Sequence, residues 1–308
     1  MSKRVVFLFP GQGSQAVGMG KDFYDTFAAA KHVVDRGDEI LGRALSKVMF
    51  EGSADLLLQT RNSQAAIYIN SMAILAVLKD QFPKLKASIC AGHSLGEYSA
   101  LTASERINFD ACLPLVELRS EAMNQACVST PGKMAAILKI ESDSVEKITN
   151  EIEGAWAANF NCPGQTVISG TQEGIEQAIA EVKQVGGRAI VLPVHGAFHS
   201  RLMQQAQDTL EPKLSAATLT PSDIQLVMNV VGDFVSDLDM IRTYLIKQVT
   251  SAVRWEQSIR KMGDVDLFVE IGQGKVLAGL NKKIGVSAPT ISISQVSDLE
   301  LLKKELDG

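Results

Sequence analysis

Gly92-His93-Ser94-Leu95-Gly96 sets a hydroxyl between two residues that have no side chain. The spacing G-x-S-x-G is that of a nucleophile elbow, a strand-to-helix turn too tight for side chains at its flanks. Such a turn lifts the Ser94 Oγ out at the carboxyl end of a sheet, where it can attack an acyl carbon. The backbone N–H of Leu95, opening a helix, can hydrogen-bond the developing oxyanion, helped by the helix dipole. With Gly and Ser each near 7% of residues in general, chance supplies about 0.1 such matches in a chain of this length. An apolar strand before the motif and an amphipathic helix after it raise Ser94 above coincidence.

An alcohol is a weak nucleophile until a base takes its proton. The chain has 4 histidines. His32 lies among charged residues and reads as a solvated surface position, and His93 sits inside the elbow, its side chain directed away from that of Ser94. His199 precedes a helical run, Arg201 to Leu210, at a loop-to-helix junction, a common place to present a catalytic side chain. It is the first candidate for the base and His195 the second. Their i, i+4 spacing resembles a zinc pair, but Pro193 and Gly196 break any helix there and no Glu follows His195. No metal site is expected.

Between Asp110 and Ala126 one helical stripe runs Cys112, Leu115, Val116, Arg119, Met123, with an arginine in the middle of an apolar face. None of its i±3 and i±4 neighbours is acidic, so no ion pair forms along this helix. Three readings stay open: an acid elsewhere in the fold, a guanidinium reaching solvent over a buried stem, or a substrate carboxylate held bidentately. A second glycine-rich stretch, Gly11-Gln12-Gly13-Ser14-Gln15-Ala16, follows an apolar run and matches G-x-G-x-x-G/A, with Asp35 about 20 residues on. A nicotinamide dinucleotide site, a loop whose N–H groups face the serine, and a plain tight turn all satisfy it. Pro10 in the turn and the helical setting of Asp35 count against the dinucleotide.

The elements that must position these groups alternate. Val5 to Phe9 reads as a buried strand, Asp22 to about Lys47 as helical, Gln64 to Leu78 as a buried helix, Ala87 to Gly92 as a strand, and Leu95 opens a helix. This order predicts a mostly parallel sheet covered on both faces. The rhythm then changes: strand Met134 to Ile140, helix Ser142 to Ile152, strands Ala155 to Phe160 and Thr166 to Gly170, helix Glu173 to Gln184, strand Arg188 to Pro193. That is β-α-β-β-α-β, the ferredoxin-like arrangement. Gln225 to Val231 and Asp266 to Ile271 return to strands of the first kind. The expected fold class is α/β, a large hydrolase-like domain (1–127 and 198–308) with a small ferredoxin-like domain (128–197) inserted.

The 308 residues suffice for two domains, and 46% hydrophobic with 21% charged residues excludes disorder and coiled coil. Thirty Lys and Arg against 35 Asp and Glu give a net charge of -5, against a general nucleic-acid binder. No run approaches the 18 or so apolar residues of a membrane span, and Val5 to Phe9 is too short for a signal-peptide core. Cys90, Cys112, Cys127 and Cys162 lack metal-like spacing and read as reduced thiols of a cytoplasmic protein.

Phe9-Pro10-Gly11-Gln12-Gly13-Ser14-Gln15, the elbow extended to Glu97-Tyr98, and Gly196-Ala197-Phe198-His199 together resemble the signatures of malonyl-CoA:acyl-carrier-protein transacylases. Asn159-Phe160-Asn161, Arg254-Trp255 and Glu270-Ile271-Gly272 are similar to further family patterns, in the family's order, over nearly the whole chain. The resemblance implies that Ser94 is acylated, that His199 is its base, and that a backbone carbonyl near Gln248 orients the imidazole. It further implies an oxyanion hole from the amides of Gln12 and Leu95 and a malonyl carboxylate on Arg119. Gln64, Phe198 and Asn161 would line the substrate pocket. Malonyl-CoA and CoA would be substrate and product with no cofactor, an acyl carrier protein the partner, and the enzyme a monomer. Ala65, Ala252 and Gln273 stand where the family usually has proline, which loosens loops without removing a reacting group. Lys275, Lys282, Lys283 and Arg201 are candidates for docking an acidic carrier protein. The rivals are a serine thioester hydrolase or a polyketide-pathway acyltransferase of the same fold, the dinucleotide-binding oxidoreductase, and a non-catalytic module that binds carrier protein.

Overall fold

The computed structural model of the protein describes residues 3–194 and 196–307. Its strands, in chain order, are β1 (Val5–Phe9), β2 (Ile89–Gly92), β3 (Lys133–Leu138), β4 (Ala155–Cys162) and β5 (Gln165–Gly170). The remainder are β6 (Arg188–Val191), β7 (Gln225–Met228), β8 (Asp233–Phe234), β9 (Leu267–Ile271) and β10 (Thr290–Ile293). Among the described residues they form a six-stranded sheet ordered β10-β9-β1-β2-β7-β8 and a four-stranded sheet ordered β4-β5-β3-β6. The large sheet is parallel except for β8, which runs antiparallel to β7.

The continuous apolar run of β1 follows from this setting: a parallel strand covered on both faces has no solvent side. Val5, Phe7 and Phe9 enter the core on one face, with Tyr68, Ile74 and Leu101. Val6 and Leu8 point the other way, into a cluster around Trp255 and Phe268. The helix Thr60–Gln81 is buried almost all round. Burying each large apolar side chain of this kind contributes about 1.5–3 kcal/mol.

In the second sheet every neighbour is antiparallel, and β3 lies between β5 and β6. The helices Ser142–Asn150 and Gln172–Gln184 cover it through a separate core of Ala135, Ile137, Val145, Ile168, Ile175 and Val182. The β-α-β-β-α-β order read from the sequence is therefore present with ferredoxin-like pairing. Backbone bonds join this sheet to the chain beyond it: Val253 donates to Ala158 O (2.8 Å) and Phe160 donates to Val253 O (2.9 Å).

Several expected boundaries move. The helical stretch expected from Asp22 to Lys47 is three helices, Lys21–Thr26, Ala28–Leu41 and Leu45–Glu51. Extended backbone at Phe27 separates the first two, and left-handed Gly42 (φ 61°) ends the second. The strand expected to reach Val231 stops at Met228, because Asn229 turns its polar groups toward the elbow. The strand expected to reach Pro193 stops at Val191.

β2 passes into the helix Gly96–Ala103 through the elbow. A Cβ on Gly92 would lie 1.9 Å from the Gly96 carbonyl, and one on Gly96 would lie 2.1 Å from Phe9 O. Both obstacles are backbone and cannot rotate away. Gly96→Ala is expected to cost about 3 kcal/mol in denaturant unfolding. By contrast Gly279→Ala, in the helix Val276–Ile284 with open space around its Cβ, should stabilise by about 0.5–1 kcal/mol. Equal effects at the two positions would contradict this account of the turn.

Candidate active site

Ser94 has φ 53°, in the left-handed region that non-glycine residues seldom occupy. Such strain costs on the order of 1–3 kcal/mol and persists only where surroundings enforce it. Asn229 enforces it here, since its Oδ1 accepts from Ser94 N–H (2.8 Å) and its Nδ2 donates to Gly92 O (2.7 Å). The glycine-rich loop also presses on the elbow: a Cβ on Gly11 would lie 2.3 Å from His93 O.

The Ser94 Oγ is 2.7 Å from His199 Nε2. On the far side of the ring, Nδ1 faces two backbone carbonyls, Gln248 O at 2.9 Å and Ser251 O at 3.1 Å. Carbonyls only accept, so Nδ1 carries the proton and Nε2 presents its lone pair to the serine. Ser251 O is a partner that the sequence did not suggest. His199 itself is left-handed (φ 57°) and buried. Burial, reinforced by the Arg119 charge, pushes its pKa down to about 3. The ring is thus a neutral acceptor across the physiological range.

Arg119 is 1% exposed, so the reading with its head in solvent is excluded. Its acceptors are neutral: Gln64 Oε1 at 2.5 Å from Nη1, Gln248 Oε1 at 2.9 Å from Nη2, and Ser94 Oγ at 3.1 Å from Nη2. The guanidinium also lies over the Tyr98 ring, 5.7 Å from its centroid. Among the described residues Arg119 takes part in no ion pair with a carboxylate, which removes the expectation of a direct acidic partner.

Ser94 and His199 lie at the floor of a cleft of about 420 Å³ between the two sheets. Gln12, Asn161, Met123 and Phe198 line it, with Leu277 and Leu280 from the helix Val276–Ile284. The N–H groups of Gln12 and Leu95 make no hydrogen bond among the described residues. Asn161 faces the cleft but already bonds His93, Oδ1 to Nε2 at 3.0 Å, and His93 packs against Trp255. Gln64 reaches the site from beneath, through Arg119. His32 is exposed, as expected, and His195 lies outside the described residues. Asp35 sits within the helix Ala28–Leu41 and bonds Tyr24 (2.9 Å), away from any strand end, so the dinucleotide reading loses its ribose-binding acid.

Besides Ser251 O, three participants were not expected from the sequence. Glu97 is fully buried, and its two oxygens accept from Asn229 N–H (2.6 Å) and Gln248 Nε2 (2.5 Å). Burial pushes its carboxyl up to about 7, against these hydrogen bonds, which favour the carboxylate. The Gln248 side chain, and not only its carbonyl, enters the site, and Asn229 braces the elbow. A lone carboxylate in the otherwise uncharged run Leu95 to Leu101 was the available signal for Glu97. Asn229, one amide after an apolar strand, gave none.

A strained serine at the end of a parallel strand, a neutral imidazole on its hydroxyl and free N–H groups nearby define a serine-nucleophile acyl-transfer protein on an α/β fold. The sequence pattern of the acyl transferase domain matches residues 6–296. The protein is 43% identical to the malonyl CoA-acyl carrier protein transacylase of Bacillus subtilis across 100% of both chains. It is 36% identical to that of Haemophilus influenzae across 99% of both. The solved malonyl CoA-acyl carrier protein transacylase of Clostridium perfringens superposes with a TM-score of 0.94 at 38% identity, covering 99% of this chain and 97% of that one. A malonyl-transacylase solved in complex with its type II PKS acyl-carrier protein superposes with a TM-score of 0.92 at 32% identity, covering 99% and 100%. The chain belongs to the acyl transferase family and, within it, to the malonyl CoA-acyl carrier protein transacylases.

The burial of His199 has a consequence for pH. Its folded-state value lies below the ordinary 6.5, so the neutral ring's contribution to stability is complete above pH 6.5 and is lost as pH falls toward 3. In a histidine-selective NMR titration the His199 ring should stay neutral from about pH 8 to about pH 5. A protonation step near the ordinary value would contradict the geometry.

Proposed function

We propose that the protein moves a malonyl group from malonyl-CoA to the phosphopantetheine thiol of an acyl carrier protein, in fatty-acid synthesis, through a malonyl ester on Ser94. One observation carries the reading: the same Ser94 Oγ lies 2.7 Å from an imidazole lone pair and 3.1 Å from a buried guanidinium. The first contact supplies a nucleophile, the second a seat for a carboxylate beside the acylated oxygen.

His199 Nε2 takes the Ser94 proton as Oγ bonds to the thioester carbonyl carbon. The carbonyl oxygen becomes an oxyanion, which accepts hydrogen bonds from the N–H groups of Gln12 and Leu95. The C–S bond then breaks and CoA leaves as a thiol with the proton from His199. The ester carboxylate remains on Arg119, in the wall formed with Gln64, Phe198 and Asn161. In the second half the carrier thiol gives its proton to His199, sulfur bonds to the acyl carbon, and the Ser94 oxygen leaves with that proton. Two thioesters of similar energy are exchanged, so the scheme calls for no cofactor.

The same reading divides the chain into a large domain, 1–127 with 198–308, and a small one, 128–197, since β3 to β6 all fall within the latter. It takes Lys275, Lys282 and Lys283 as part of a docking face for the acidic carrier. They are exposed and flank or sit on the helix whose Leu277 and Leu280 line the cleft, and Lys283 bonds the cleft residue Gln165 (3.0 Å). A cytoplasmic location belongs to this reading too, supported by four unpaired cysteines, three of them buried.

Initial rates over both substrates should give the parallel lines of a ping-pong reaction. CoA release without carrier protein, at a rate matching transfer, would replace the reading with a hydrolase. Arg119→Ala should lower malonyl-CoA kcat/KM by about 100-fold or more, as expected for a lost buried charge-assisted pair, with a much smaller loss for acetyl-CoA. Equal losses would return Arg119 to a structural role.

A further inference from the structure

Glu97 is a buried carboxylate that the reaction scheme above does not use. It touches neither Ser94 Oγ nor His199, yet every contact it makes leads to them. Its Oε2 accepts from Gln248 Nε2 (2.5 Å), and the same amide nitrogen donates to Ser94 O (2.8 Å). Above its value of about 7 Glu97 is a carboxylate, so both N–H groups of the Gln248 amide are then committed to acceptors that cannot donate. Its Oε1 is forced to the opposite side, where it accepts from Arg119 Nη2 (2.9 Å) and Nε (3.2 Å). An amide turned the other way would set an NH2 group against a guanidinium, donor against donor, in a fully buried site.

We propose that Glu97 is a positioning residue for the carboxylate subsite: it fixes the direction of the Gln248 amide, whose carbonyl then holds Arg119 beside Ser94 Oγ. The inference rests on the reading of Arg119 as the malonyl carboxylate's partner. It also accounts for how a guanidinium without a directly bound acid is tolerated. Glu97 supplies the compensating charge one residue away, and Arg119 keeps its strongest pairing for the substrate. A carboxylate placed directly on Arg119 would satisfy it but compete with malonate.

The substitution Glu97→Gln breaks the pattern at nearly constant shape. Its own NH2 group meets a donor in either orientation: toward the Gln248 amide it removes one of the two acceptors that fix that amide, and toward Asn229 N–H it opposes a backbone donor and leaves Gln248 a neutral acceptor in place of a charged one. The backbone carbonyl of Gln248, which orients His199, is untouched. Arg119 should therefore lose its place while the Ser94–His199 pair stays competent.

Two rates at pH 8 separate these effects: acylation of Ser94 by malonyl-CoA, and its modification by phenylmethanesulfonyl fluoride, a neutral reagent that carries no carboxylate for Arg119 to hold. For Glu97→Gln malonylation should fall about 10-fold or more and sulfonylation less than about 3-fold, as one misplaced buried hydrogen bond implies. Gln248→Leu, which keeps both the carbonyl and Glu97, should show the same selective loss, and adding Glu97→Gln to it should cost nothing further. Parallel losses of both rates, no loss of either, or additive losses in the double variant would overturn the proposal. If Glu97→Gln fails to fold, the selectivity of Gln248→Leu alone decides, and equal losses there overturn it. Arg119→Ala separates the two levels. A selective loss there without one in Glu97→Gln sinks this proposal alone, and an unselective Arg119→Ala sinks the carboxylate reading and the proposal with it.

Discussion

The rest of the structure depends on one hydrogen bond, from the Ser94 hydroxyl to His199 Nε2. It works only if the imidazole keeps its proton on the other nitrogen, and two backbone carbonyls meet that requirement in place of a carboxylate. Carbonyls fix the tautomer without placing a negative charge next to the ring. Together with burial and the Arg119 charge, that leaves the free ring little tendency to protonate. The ring is therefore neutral at rest, as the proposed base must be.

Charge inside the site is kept apart in the same manner. Arg119 and Glu97 are both buried, and an amide side chain separates them. Direct pairing would have been the cheaper way to bury two charges, but it would have consumed the guanidinium. The arrangement tolerates a cation that is satisfied only by neutral oxygens beside a nucleophile, which is what the proposed seat for an anionic acyl group requires. Asn229 and the strained backbone at Ser94 and His199 belong to the same economy, since rigid surroundings hold groups where isolated chains would not leave them.

Much of this was legible in the residues. The glycines of the elbow announce a turn without room for side chains, and the atoms that would collide with a Cβ at Gly92 and Gly96 are backbone. The change of rhythm after Met134 marks a second sheet because two helices alternate with four short strands and bury one face of them in a core of their own. Arg119 was conspicuous as a charge within an apolar stripe. What could not be read were contacts between distant segments: Asn229 with the elbow 135 positions away, Ser251 with His199, and the Gln248 amide with Arg119. Short-range pattern carries periodicity and turn chemistry, whereas the direction of the Gln248 amide depends on three residues far from it in the chain, Ser94, Glu97 and Arg119. The break at Phe27 was missed for a related reason, since helical periodicity continues through a residue whose backbone is extended.

The central claim is that Ser94 becomes the acyl carrier of the reaction because His199 activates it. Intact-mass spectrometry of the protein mixed with malonyl-CoA alone, followed by peptide mapping, tests it most directly. One malonyl group per chain is expected, carried on the peptide containing Ser94, forming rapidly in the native protein and barely at all in His199→Ala. A chain that stays unmodified, an adduct on another peptide, or equal labelling without the imidazole would contradict it.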